Sequence, residues 1–216
     1  MPKVKIPRKS TMVDMTAMCD VAFLLLTFFI LATKQKPPEV LSVTPPGSIS
    51  SKAAPDKSIM TTFTADGKVF LMLGDDTKKG EIIDNLNATR NLGLSGPELT
   101  KLKRMEFIGL PFNLLKGALA QPQEISPDKM PGIPVDSTNN ELADWLRSVT
   151  NVYAGGDQRQ LEQILLVKGD GNAQYPVFKN IKNAFKKNEL YKFRIVTNSE
   201  EAPVGSEVYN ESLKNK

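Results

Sequence analysis

The first residue to suggest chemistry is Asp20, the one carboxylate in an apolar run over residues 15–33. As a helix, this run of 19 residues would measure roughly 28 Å, close to the thickness of a bilayer's hydrocarbon core. A charged Asp near the centre of a membrane helix costs on the order of 2.5–3.5 kcal/mol, so such a carboxylate is by default a candidate for function. Asp20 is predicted to carry protons. The alternative is a residue near the interface that snorkels or stays protonated.

Two threonines fall close to Asp20 on a helical wheel. At about 100° per residue, Thr16 and Thr27 lie within about 40° of Asp20, so the three polar side chains share one stripe. Both threonines are predicted to assist a proton path. One helix with one carboxylate cannot enclose such a path, so partner helices are required.

The charge distribution favours a membrane anchor over a nucleic-acid binder. The first 36 residues hold six basic and two acidic side chains, which accounts for the whole net charge of +4. The other 180 residues hold 22 of each sign and leave no basic excess for nucleic acid. The positive-inside rule then places residues 1–14 in the cytoplasm and the chain beyond the run in the periplasm of a two-membrane cell. The basic residues are Lys3, Lys5, Arg8, Lys9, Lys34 and Lys36.

Two other interpretations of the run remain open. A cleaved signal peptide would explain the basic start, but Asp20 interrupts its apolar region and no clear small-x-small cleavage site follows. A buried helix of a soluble domain would usually be shorter and show one polar face. The uncleaved transmembrane helix over residues 15–33 is the favoured interpretation.

Residue usage argues against an enzyme. The chain has no histidine and one cysteine, Cys19, which excludes Cys/His zinc sites, His-dependent triads and an intrachain disulfide. The loop over residues 169–172 (GDGN) lacks the ligand ladder of a calcium loop, and no nucleotide-binding glycine fingerprint is present. We therefore expect no catalytic activity, no metal and no cofactor, and we interpret the loop as a strand-to-helix turn.

Beyond the run, the pattern predicts a linker and an α/β domain. Five prolines mark residues 34–57 as a linker, in which Glu39–Thr44 is compatible with a short edge strand. The domain over residues 58–198 is predicted to be two-layered, in ββαβαβ order with helices on one face, and a polar tail follows at 199–216. Its predicted elements are strands Ser58–Thr64 and Lys68–Leu73 around an Ala65-Asp66-Gly67 turn, helix Asn139–Asn151 with Leu142, Trp145, Leu146 and Val149 inward, strand Gln163–Lys168, helix Pro176–Asn188 with Phe178, Ile181, Ala184 and Phe185 inward, and strand Lys192–Val196.

Two stretches resemble the ExbD/TolR family. Residues 14–29 (DMTAMCDVAFLLLTFF) resemble its transmembrane segment, in which Asp20 matches the single essential Asp. Ala17 follows Thr16 where the family often has a Thr-Pro step. Residues 163–197 are similar to the strand–loop–helix–strand that closes the family's periplasmic domain.

The resemblance implies a single-pass inner-membrane subunit of a proton-driven motor. Its implied partners are an ExbB/TolQ-like membrane ring, a second copy of the chain inside that ring, and a TonB-like protein that acts on outer-membrane transporters. Asp20 would be the proton carrier. A TolR-like role at the cell envelope, with peptidoglycan among the partners, stays open, as does a membrane-tethered periplasmic binding module without proton transport.

Residues 75–138 depart from that family pattern, in which the hairpin passes soon into the first helix. We interpret them as an insertion with helical pieces around Gly80–Asn91 and Gly96–Glu106. A surface elaboration without separate activity is favoured over a binding surface.

Overall fold

The computed structural model describes residues 15–32, 41–49, 52–55, 57–121, 125–154, 158–200 and 203–206. The chain divides into two compact units, Met1–Glu39 and Val40–Lys216. The predicted cytoplasmic start at 1–14, the lysines that follow the apolar run, parts of the linker and most of the polar tail lie outside the described residues.

The first unit contains helix α1, Thr16–Ala32. Its 17 residues give a length of about 25 Å, and none of them is buried. The predicted helix over residues 15–33 is therefore present as a helix. Within the described part of the chain, no helix combines the length and the apolarity that crossing a membrane requires.

The second unit mixes helices and strands, which confirms the predicted α/β class. The strands are β1 (Gly47–Ser48), β2 (Ile59–Phe63), β3 (Val69–Leu73), β4 (Phe107–Ile108), β5 (Leu165–Gly169), β6 (Arg194–Val196) and β7 (Asn198–Ser199). The helices are α2 (Asp76–Arg90), α3 (Gly96–Arg104), α4 (Phe112–Ala120), α5 (Glu141–Tyr153), α6 (Gln158–Ile164) and α7 (Tyr175–Lys187), with a 3-10 turn at Pro127–Lys129.

Five of the strands form one sheet in the order β4-β3-β2-β5-β6, while β1 and β7 pair in parallel elsewhere. β2 and β3 form the predicted antiparallel hairpin, and β5 runs parallel to both β2 and β6. The hairpin turn uses Gly67 at φ +80°, a conformation that favours glycine, and its amide donates to the Thr64 carbonyl at 3.0 Å.

Helices α5 and α7 show why the apolar periodicity was a good guide. All four side chains predicted to face inward on α5 have 0% exposure, and the Asn140 side chain caps the helix by accepting from the Ala143 amide. On α7, Ile181, Ala184 and Phe185 are buried, whereas Phe178 is half-buried. The Asn188 side chain donates to the carbonyls of Ala143 on α5 and Ala184 on α7, and so ties the two helices together.

The edge strand suggested within the linker is wrong for the residues that the structure describes. Residues 41–44 form no strand, and the short strand β1 begins only at Gly47. The Thr44 backbone is already engaged, because its amide donates to the Asp170 carboxylate and its carbonyl accepts from Gly171. Leu41 and Val43 instead place their side chains in the core.

The segment 75–138 belongs to the core and is not a surface elaboration. Its predicted helical pieces are confirmed as α2 and α3, and it also supplies β4 at the edge of the sheet. Among its buried side chains are Ile82, Ile83, Leu86, Leu102, Ile108, Leu115, Met130 and Ile133. With these elements and α6, the second unit has more elements than the simple ββαβαβ order that the sequence predicted.

Candidate functional site

The polar stripe lies on helix α1. Thr16 and Asp20 are exposed and Thr27 is half-buried, and helical geometry keeps all three within about 40° of one another. Along the axis, Thr16 lies about 6 Å from Asp20 and Thr27 about 10 Å on the other side, at about 1.5 Å per residue. The stripe is thus one carboxylate between two hydroxyl groups.

The Thr27 hydroxyl is oriented by its own helix. Its Oγ donates to the Leu24 carbonyl at 2.9 Å, an i to i−3 bond that satisfies the donor. The oxygen keeps lone pairs that accept a hydrogen bond from outside the helix. Thr27 can therefore accept a hydrogen bond from a water molecule on the stripe.

The rest of α1 presents large apolar side chains on every side. Phe23 is 66% exposed and Leu31 86% exposed, and the rings of Phe28 and Phe29 meet edge to face with centroids 6.0 Å apart. A helix that is apolar all round is stable when lipid or other protein covers it. Asp20 is therefore a carboxylate on a helix surface that is otherwise more stable in contact with lipid or protein than with water.

The second unit offers no metal centre within the described residues. The loop at residues 169–172 is the predicted turn from β5 to α7. The Asp170 carboxylate accepts from the amides of Thr44 at 3.0 Å and Asn172 at 2.9 Å, and these bonds hold the pKa of Asp170 below its usual value. Each carboxylate oxygen of Asp170 thus accepts from a backbone amide, one in the turn and one in the segment that precedes β1.

Several buried charged groups of the second unit were missed by the sequence reasoning. Lys79 is 5% exposed and donates to the Met105 carbonyl at 2.5 Å, while the buried Glu141 accepts from the Phe112 amide at 2.7 Å and so caps α4. The sequence does contain a signal that Lys79 is buried. The lysine lies three and four residues before Ile82 and Ile83, on the apolar stripe of α2. These groups join helices to one another.

The structure thus defines a class of protein in which an apolar helix with one carboxylate precedes an α/β unit. The model of the family described as biopolymer transport protein ExbD/TolR matches residues 7–200. That is about nine-tenths of the chain, and it includes α1 and the described sheet. The chain belongs to the ExbD/TolR family, which confirms the resemblance. No curated protein sequence and no solved structure shows a significant match to the chain.

Proposed function

We propose that this chain is an ExbD-like, energy-transducing motor subunit of a biopolymer transport system, driven by the proton-motive force. The observation that supports the proposal best is Asp20, the single carboxylate of an otherwise apolar helix in a chain of this family. Asp20 is the proposed proton carrier. Thr16 and Thr27 are proposed to extend its hydrogen-bonded path along the same stripe.

Protonation changes the surroundings that Asp20 tolerates. The neutral acid lies in an apolar environment at modest cost, whereas the carboxylate needs water or a hydrogen-bonding partner. One proton crossing the membrane is worth about 2.3 kcal/mol per 100 mV, which is comparable to the cost of moving the charged side chain inward. Each cycle of proton uptake and release therefore shifts the preferred position of α1 against its partners, and this shift is the proposed source of motion.

The proposed partners rest on the family and are consistent with the exposed surface of α1. One helix cannot surround Asp20, so we propose that an ExbB/TolQ-like ring and a second copy of the chain supply the enclosing helices. In this arrangement α1 is a single pass through the inner membrane, with the N-terminus in the cytoplasm and the α/β unit in the periplasm. That unit would meet a TonB-like protein. A TolR-like role uses the same stripe, and the proteins that co-purify with the chain would separate the two roles.

Replacing Asp20 by Asn tests the proposal. Asn has nearly the shape of Asp and still forms hydrogen bonds, but it does not gain and lose a proton near neutral pH. Asp20→Asn should leave membrane level and assembly unchanged and abolish transport that depends on the proton gradient. The measurement is the transport activity of cells that carry the parent or the variant, with and without an uncoupler that collapses the proton gradient. The two proteins are compared at equal amounts in the membrane.

Three further variants serve as controls for that experiment. Asp20→Glu keeps the titrating group and should retain part of the activity. Thr27→Val removes a hydroxyl whose hydrogen already bonds Leu24, so it should reduce activity less than Asp20→Asn does. Asp14→Asn makes the same chemical change outside the apolar run and should be tolerated. If Asp20→Asn keeps full activity that depends on the proton gradient, the motor proposal is rejected. The membrane-tethered binding module would then remain as the interpretation.

A further inference from the structure

Helix α7 carries a strongly basic exposed face. Its four lysines are all exposed, and the helix contains no acidic residue. Residues 175–194 hold six basic side chains and one acidic one, a net charge of +5. Because residues 37–216 hold 22 charges of each sign, the rest of that stretch has a net charge of −5. Positive charge is therefore concentrated on α7 and just after it. The lysines are Lys179, Lys182, Lys186 and Lys187.

Three of these lysines form one stripe along α7. Lys179, Lys182 and Lys186 follow an i, i+3, i+7 spacing and lie within about 60° of one another around the helix. Among the ion pairs of the described residues, none involves a lysine of α7. Ile181 and Phe185 fix the opposite face of the helix in the core. The lysine stripe therefore presents three cations to the outside along about 10 Å of the helix axis.

A groove of about 400 Å³ lies beside the lysine stripe, between α7 and the segment that leads into α5. Every residue that lines it has a polar side chain. Lys186 and Lys187 connect the groove with the stripe, and Asn180 and Asn183 form part of its wall. Within the described part of the chain, the side-chain amides of these two asparagines have no hydrogen-bond partner. Each amide offers two donor hydrogens and an acceptor oxygen.

We propose that the lysine stripe and the groove together bind an extended acidic segment of a partner protein. Side chains on one side of an extended chain recur about every 6.7 Å, close to the axial spacings of about 4.5 and 6 Å between the stripe lysines. Carboxylates at alternate positions can therefore pair with successive lysines. The asparagine amides suit the peptide groups, which also have one donor and one acceptor. The site lies in the second unit and requires no proton transfer by Asp20.

A peptide fits this surface better than an anionic bilayer does. Phosphate groups of lipids supply acceptors alone, so they would leave the acceptor oxygens of Asp136, Asn180 and Asn183 without donors. The groove also lacks an apolar side chain that could insert among acyl chains. The main chain of a peptide supplies N–H donors as well as carbonyl acceptors.

Binding is tested with the full chain in phosphatidylcholine nanodiscs and a short fluorescein-labelled peptide that alternates glutamate with serine. Anisotropy should show saturable binding that weakens as salt rises, and a peptide with lysine in place of glutamate should not bind. Lys182→Gln combined with Lys186→Gln should weaken binding about tenfold. The matched control is Lys116→Gln combined with Lys129→Gln, which removes the same charge from exposed positions outside α7 and should change binding less than twofold.

A further variant separates the groove from simple charge attraction. Asn183→Leu keeps nearly the size of the side chain and removes its amide, so it should weaken binding at least fivefold without changing the salt dependence. Because all these positions are exposed, thermal unfolding should match that of the parent.

Equal loss of binding in the two lysine pairs, no binding of the acidic peptide, or no effect of Asn183→Leu would overturn the proposal. Attachment of the nanodiscs to phosphatidylglycerol vesicles that is lost in Lys182→Gln with Lys186→Gln would assign the stripe to an anionic bilayer and also overturn it. Asp20→Asn should bind the peptide normally, so this proposal and the proton-carrier proposal fail separately.

Discussion

Asp20 and Lys79 are both charged residues among apolar neighbours, yet their surroundings assign them different work. Asp20 is exposed on α1, on a surface that needs covering from outside the helix. Lys79 is buried, and its ammonium group donates to the Met105 carbonyl. The hydrogen bond fixes the lysine as a tie between α2 and the end of α3, whereas Asp20 is the proposed proton carrier.

Burial also changes the titration of Lys79. Desolvation lowers its pKa from the ordinary value, and the nearby carboxylates of Asp76 and Glu106 oppose that shift. The folded chain therefore holds this proton less tightly than the unfolded chain. As pH rises from the lowered pKa to the unfolded value, the unfolded state binds more protons, so the free energy of unfolding contributed by Lys79 increases with pH.

Lys79→Met should remove that pH dependence. Methionine has a similar unbranched shape but no charge to desolvate. The difference in melting temperature between the parent and the variant should therefore shift in favour of the parent as pH rises from neutral to about 10. Fluorescence of Trp145, the single tryptophan and fully buried, reports unfolding in both proteins. A difference that stays constant over this range would contradict the assigned cause.

At the scale of elements, one glycine allows two strands to approach. Gly169 ends β5 directly opposite Phe63 on β2. A Cβ at Gly169 would lie 2.1 Å from the Phe63 ring, well inside any tolerated contact. The absence of a side chain at this position lets the Phe63 ring lie over the end of the neighbouring strand.

Gly169→Ala should therefore destabilise the second unit by about 1–3 kcal/mol, since the Phe63 ring has to move out of a packed site. Gly117→Ala is the matched control, because nothing lies within 4 Å of the added methyl group in the interior of α4. It should stabilise the chain by about 0.5–1 kcal/mol. Urea unfolding followed by Trp145 fluorescence measures both changes. Equal effects of the two substitutions would show that Phe63 does not restrict Gly169.

At the scale of the whole molecule, the two units differ in whether their described residues bury apolar side chains. Every buried apolar residue among those described lies at or beyond Leu41, and α1 contributes none. The boundary between the two compact units lies at nearly the same place, between Glu39 and Val40. The α/β unit therefore has a hydrophobic core of its own.

A fragment that begins at Val40 should accordingly fold by itself. We expect its melting temperature to lie within a few degrees of the value for the same unit in the full chain, because no described core contact is lost. Circular dichroism and Trp145 fluorescence of the purified fragment test this. A fragment without cooperative unfolding would mean that residues before Val40 stabilise the α/β unit.

The sequence by itself determined the elements whose signals are local. The apolar periodicity of α5 and α7, the glycine turn of the β2–β3 hairpin and the uniform apolarity of α1 all lie within windows of a few turns. The carboxylate stripe on α1 follows from helical spacing alone. The family could also be recognised from the sequence. The residues around Asp20 form one continuous stretch, and the closing β5–α7–β6 segment forms another.

Only the tertiary structure decided where residues 75–138 belong. A two-residue strand such as β4 has almost no local signal, and its position at the sheet edge comes from pairing with β3 more than thirty residues earlier. The engaged backbone of Thr44 likewise depends on Asp170, 126 residues away. A small cavity lined by Met105, Phe107 and Leu119 likewise exists only because residues distant in the sequence meet there. Such contacts are long-range, and their free energy comes from burial and hydrogen bonding between segments that no local pattern brings together.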